Sequence, residues 1–110
     1  MTYEDTLKKI FTTIKGEAIL EQLIEEAGEL IQASAKRLRI MRGTNPTPIT
    51  YKENTESLQE EIADVQLCID LVIQAMNYDN TETQKNIELT KQRKLSRWLE
   101  RLRIMTEFLE

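Results

Sequence analysis

A chain of 110 residues, 40% hydrophobic and 31% charged, is long enough for one modest core and too apolar to be a disordered segment. Its 19 acidic against 15 basic residues, a net charge of -4, argue against a general nucleic-acid binder. The single cysteine excludes an internal disulfide framework. The absence of histidine removes the usual zinc sets and the Glu-x-x-His motif of di-iron bundles.

Helix formers dominate, and three Gly and two Pro leave few stops, so the expectation is one all-α domain over 1–110 built as a four-helix bundle. A short helix is expected from about Tyr3 to Ile14, ending near Lys15-Gly16. The second runs from about Glu17 to Arg42, with Ile19, Leu23, Ala27, Leu30, Ser34, Leu38 and Met41 as its apolar stripe. Gly43, with Pro46 and Pro48 just beyond, stops it. Residues 43–55, which include Tyr51, then form a loop longer than most helix connections and placed to border a site. The third helix starts near Asn54 to Ser57, where Ser57-x-x-Glu60 has the form of a capping box, and continues to about Met76. Its stripe is Leu58, Ile62, Val65, Ile69, Val72 and Met76. Leu67 and Leu71 add a second strip, so this helix is either central in the bundle or shared with another subunit. After a turn at 77–80, Thr81-x-x-Gln84 can cap a fourth helix. Its seam of Leu95, Trp98, Leu102, Met105 and Leu109 has near-heptad spacing, with Trp98 expected in the core. No apolar run approaches the roughly 20 residues of a membrane span and no signal-peptide core is present, so a cytoplasmic protein is expected.

One acidic pattern occurs twice. Leu23-Ile24-Glu25-Glu26-Ala27-Gly28-Glu29-Leu30 is matched by Leu58-Gln59-Glu60-Glu61-Ile62-Ala63-Asp64-Val65. Each copy sets two carboxylates three apart, which makes them neighbours on one helix face. At about 100° per residue, Glu26 and Glu29 stand in the same relation to their apolar stripe as Glu61 and Asp64 do to theirs, at its edge. Glu25 and Glu60 lie further towards solvent. Like charges three apart repel, and no cation follows these acids at the fourth position: Leu30, Ala33, Val65 and Cys68 stand there. Two packed helices pooling four such carboxylates read as a site for a hard divalent cation, with oxygen ligands suited to magnesium, manganese or calcium. Cys68, one turn beyond, reads as a small buried residue, because a hard-metal site does not want a thiolate.

These residues resemble the MazG-like all-α nucleoside triphosphate pyrophosphohydrolases, a superfamily that includes the dimeric dUTPases. The family pattern Glu-Glu-x-x-Glu followed by Glu-x-x-Asp is matched by Glu25-Glu26-Ala27-Gly28-Glu29 and Glu61-Ile62-Ala63-Asp64. The resemblance covers roughly residues 17–97, and the stretch between the two motifs is longer than in many members. It implies that Glu26, Glu29, Glu61 and Asp64 ligate Mg²⁺ (with Mn²⁺ as substitute), and that Glu25 binds a second metal or orients water. It implies hydrolysis of a nucleoside triphosphate to monophosphate and pyrophosphate, in a homodimer or homotetramer. Phosphate needs cations, and the last helix carries Lys85, Lys91, Arg93, Lys94, Arg97, Arg101 and Arg103 against Glu88 and Glu100. Family members place Lys and Arg of a late helix on the phosphates, which makes Lys94 and Arg97 the candidates. The plain alternative for these residues is a solvated basic face with snorkelling stems.

Three other functions compete. A non-catalytic helical interaction module would keep its function with Glu61 replaced by Gln and ignore Mg²⁺. A degenerate family member would bind nucleotide without hydrolysing it. A nucleic-acid binder using the basic last helix would show steep salt dependence, against the acidic balance of the rest.

Overall fold

The computed structural model describes residues 1–43 and 45–109, with Leu109 described in its backbone only. Among these the chain is all-helical, with no strand: α1 spans Tyr3–Arg42, α2 Tyr51–Ala75 and α3 Thr81–Leu109. It forms two compact units, 1–77 and 78–110, so α1 with α2 and α3 are each taken alone. Three helices replace the expected four, because the expected first and second run together as α1. Lys15 alone leaves helical dihedrals there, at φ 62°, ψ 167°, and it falls where the sequence put the break. That conformation belongs to a region essentially reserved for glycine and costs a lysine of order 1–3 kcal/mol.

Capping explains the other boundaries. Thr2 opens α1: its Oγ1 accepts from Asp5 N at 3.0 Å and its N–H donates to Asp5 Oδ2 at 3.1 Å. The Thr2 backbone N–H, and after it the Thr2 side chain, hold the Asp5 carboxyl below its ordinary pKa. Gly43 closes α1 in the left-handed conformation, φ 63°, with its N–H on Arg39 O at 2.8 Å. α2 starts at Tyr51, earlier than expected. Thr50-x-x-Glu53 forms the capping box in place of Ser57-x-x-Glu60, with Glu53 N donating to Thr50 Oγ1 at 3.1 Å. The connection therefore runs from Gly43 to Thr50, shorter than the expected 43–55, and Thr44 lies outside the described residues. Tyr51 is not in this loop; it is the first residue of α2, and the Arg37 guanidinium stacks on its ring at 4.1 Å. Met76 caps α2, its N–H reaching Val72 O at 2.9 Å, and Asn77 follows at φ 59°, a conformation Asn tolerates. On α3, Asn80 rather than Thr81 supplies the cap, its Oδ1 accepting from Thr83 N at 2.8 Å.

The contact between α1 and α2 follows two seven-residue repeats. On α1 the residues Ile19, Leu23, Glu26, Leu30, Ala33, Arg37 and Ile40 step by four and three and are all buried or half-buried. On α2 the matching series is Asn54, Leu58, Glu61, Val65, Cys68, Val72 and Ala75. The late members of the expected α1 stripe, Ser34, Leu38 and Met41, are instead exposed. Leu7, Ile19 and Leu71 form the buried cluster, with Ile10, Phe11, Val72 and Ala75 packed against it. The polar seam positions near the 43–50 connection are paired with each other. Asn54, fully buried, accepts from Arg37 Nε at 2.7 Å and donates from Nδ2 to Ala33 O at 3.1 Å, while Arg37 Nη2 donates to Thr55 Oγ1. Near the start of α1, Tyr3 OH donates to Asp70 Oδ2 at 2.6 Å. Taken alone, α3 leaves Leu95, Trp98, Leu102 and Met105 exposed, and Trp98 at 65% exposure is not the core residue that was expected. The Leu109 side chain lies outside the described residues.

Candidate metal centre

Seam positions on facing helices come together, and here two of those positions carry acids. Glu26 of α1 and Glu61 of α2 occupy the contact itself, deeper than the edge position read from the stripe. Glu29 and Asp64 sit one turn further along their helices, and each of the four offers a carboxylate oxygen within 4.8 Å of the others. Glu26, Glu61 and Asp64 are half-buried; Glu29 is exposed. Glu26 Oε2 and Glu61 Oε2 are buried and have no hydrogen-bond partner. Gln22 Nε2 donates to the other oxygen, Glu26 Oε1, at 2.8 Å. Among the described residues all the ion pairs lie on α3 (Lys91 with Glu88, Arg103 with Glu100 and Glu107), and none of them involves this cluster.

The electrostatics follow from that crowding. Burial, then a hydrogen bond and charge repulsion with Glu29 and the charge of Asp64, push the Glu26 carboxyl above its ordinary pKa. For Glu29 the largest single influence, a hydrogen bond with Glu26, acts downwards. Hydrogen bonding and repulsion with Glu61, burial and the charge of Glu25 outweigh it and carry Glu29 above its ordinary value. Cys68 is buried, and burial followed by the charges of Glu26 and Asp64 raises its thiol pKa.

The donor chemistry fits a hard divalent cation. Four carboxylates converge and two buried oxygens lack any partner. Glu25 is exposed and stands outside the four. Gly28, the small residue inside the first motif, has no neighbour among the described residues within 4 Å of a notional Cβ.

A cleft of about 330 Å³ adjoins the acids. Glu29 and Glu61 line it together with Gln32, Lys36, Glu53, Ser57 and Ile49. Lys36 is the one cation among its lining residues, and the sequence reading missed it. The missed signal was the seven-residue spacing from Glu29, which puts Lys36 almost directly above that acid on α1. Lys94 and Arg97 are exposed on α3, and Lys94 lies beside Leu95 and Trp98 on a shallow apolar strip of that helix.

Comparison with protein-family models, curated proteins and solved structures finds no match. No helix among the described residues is long and apolar enough to cross a membrane.

Proposed function

We propose that this chain is a metal-dependent nucleoside triphosphate pyrophosphohydrolase of the MazG-like all-α kind. It would convert (deoxy)nucleoside triphosphates to monophosphate and pyrophosphate in nucleotide-pool control or house-cleaning. The observation that carries the reading is the convergence of Glu26, Glu29, Glu61 and Asp64 within 4.8 Å, with buried oxygens of Glu26 and Glu61 unpartnered. These four hold Mg²⁺, with Mn²⁺ as a substitute. The ion, when bound, neutralises charge on the phosphate chain and makes water a better nucleophile at neutral pH.

The chain's own groups supply the rest. Glu25, on the solvent side of the motif, orients the attacking water or takes a second ion. Lys36, in the cleft beside Glu29 and Glu61, offsets phosphate charge at the site itself. Lys94 and Arg97 add phosphate contacts from α3. The working form is a cytoplasmic homodimer or homotetramer.

The test is pyrophosphate release from a panel of canonical and modified NTPs and dNTPs with Mg²⁺. The controls are EDTA and Glu61→Gln, which keeps the size of the side chain and removes its charge. Release is expected to vanish with EDTA and fall at least about a hundredfold in the variant. Lys36→Gln is expected to raise KM by about tenfold with little change in kcat, as loss of uniform binding does. Well-folded protein that hydrolyses nothing with Mg²⁺ or Mn²⁺ would overturn the proposal.

A further inference from the structure

The seam between α1 and α2 repeats in steps of three and four, and apolar contact has no direction, so its apolar members leave open how far one helix lies along the other. A slide of one turn in either direction again sets seam position against seam position. It moves Glu26 from Glu61 to Val65 or Leu58, and Glu61 from Glu26 to Leu30 or Leu23, all half-buried apolar residues. In the metal-free chain the slide also relieves repulsion among four carboxylates whose oxygens lie within 4.8 Å of one another. Holding the acids together therefore needs a contact with direction.

The clasp around Asn54 has that character. Ala33 stands seven residues beyond Glu26, and Asn54 seven residues before Glu61. In antiparallel helices these pairs are two rungs of one register, about 10.5 Å apart along the axis. Asn54 Nδ2 donates to Ala33 O at 3.1 Å, and Asn54 Oδ1 accepts from Arg37 Nε at 2.7 Å. A slide of one turn, about 5 Å, takes Nδ2 out of reach of Ala33 O. Asn54 is fully buried, at a position where an apolar side chain would pack without any polar group to satisfy. One buried polar residue in an otherwise apolar seam fixes register at some expense of stability.

We propose that Asn54, together with Arg37, is a positioning residue for the carboxylate site: it locks α1 and α2 in the register that sets Glu26 and Glu29 against Glu61 and Asp64 before any cation arrives. The inference rests on the metal reading of that site and not on its substrate. Arg37→Leu/Asn54→Leu tests it in the full chain, because it removes the clasp, leaves no orphaned side-chain partner and fills the seam. The variant is expected to keep its helicity and its urea midpoint, or to raise the midpoint. Its Mn²⁺ affinity, read by electron paramagnetic resonance, is expected to fall by about ten- to a hundredfold. Loss of the Arg37 charge near the acids acts the other way, so it cannot produce that fall.

Register is read without metal by pulsed electron resonance between spin labels on Ala35→Cys and Gln66→Cys, both exposed positions, in a Cys68→Ala background diluted with unlabelled chain. These sites stand about 21 Å apart along the axis, and one turn of slide changes that by about 5 Å. One distance is expected with the clasp intact and a second, displaced population without it, which Mg²⁺ drives back to the first. A single unchanged distance in the variant overturns the proposal, and so does unchanged Mn²⁺ affinity. If the unaltered chain binds no Mn²⁺, the metal reading falls and the distances alone decide the register. If the double variant fails to fold, Asn54→Ser, which is too short to span both bonds, is read by the same measurements with the same outcomes.

Discussion

Replacing Asn54 by Ala removes the polar clasp that joins α1 to α2 near the 43–50 connection. Asn54 is fully buried and makes two hydrogen bonds, accepting from Arg37 Nε at 2.7 Å and donating to Ala33 O at 3.1 Å. A bond to a charged group contributes about 1.5–3 kcal/mol and one between neutral groups about 0.5–1.5 kcal/mol. Arg37 is half-buried, keeps its contacts with Thr55 and the Tyr51 ring, and recovers some solvation, so the lower half of the sum applies. The expected loss is about 2–3 kcal/mol, or a fall in Tm of roughly 8–15 °C for a chain of this size. Urea unfolding followed by circular dichroism measures it. Arg37→Ala and the double variant complete a cycle whose expected coupling is about 1–2 kcal/mol. Asn54→Asp separates the two bonds: it keeps an acceptor for Arg37 but sets a carboxylate oxygen against Ala33 O, and it too is expected to destabilise. A loss below 0.5 kcal/mol in Asn54→Ala, or no coupling to Arg37, would refute the reasoning.

Lys15→Gly relieves a backbone conformation that only glycine adopts freely, at φ 62° and ψ 167°, and is expected to stabilise the chain by about 1 kcal/mol in the same urea assay. Destabilisation would show that the lysine side chain outweighs the strain. The metal-free protein is expected to show a pH signature of the carboxylate cluster. Glu26 has its folded pKa raised above the ordinary 4.5, so its contribution is fully favourable below that value and is lost as pH rises through the folded pKa. Glu26→Gln should therefore melt increasingly above the unaltered chain as pH rises from 4 to 8, in EDTA. A pH-independent difference would contradict this.

The convergence of the four carboxylates was readable because it depends on spacing alone. Glu26 and Glu29 share one helix face, as do Glu61 and Asp64, and any antiparallel pairing of the two helices that aligns the motifs brings all four together. The break at Lys15-Gly16 and the stop at Gly43 were legible from local chemistry. What the sequence hid were polar residues at seam positions. Arg37 and Asn54 interrupt the apolar count, so the α1 stripe was traced through Ser34, Leu38 and Met41, which the structure leaves exposed. The same omission shifted the start of α2, because Thr50-x-x-Glu53 and Ser57-x-x-Glu60 carry the same capping signature and only packing of Asn54 distinguishes them. Tyr51 was misplaced in the loop for that reason. Lys36 was passed over in favour of the basic run on α3, since charge density is visible in a sequence and the lining of a cleft is not.

The central claim is that four carboxylates from two helices bind a divalent cation, and Mn²⁺ titration followed by electron paramagnetic resonance tests it without reference to any substrate. The unaltered chain is expected to bind Mn²⁺ at a saturable site that Mg²⁺ displaces. Glu61→Gln should weaken it by at least about tenfold, while Glu60→Gln, the same charge change one residue away on the exposed side of α2, should leave it intact. Equal binding by the unaltered chain and Glu61→Gln, or equal loss in Glu60→Gln, would show that Mn²⁺ responds only to the general negative charge and would contradict the account.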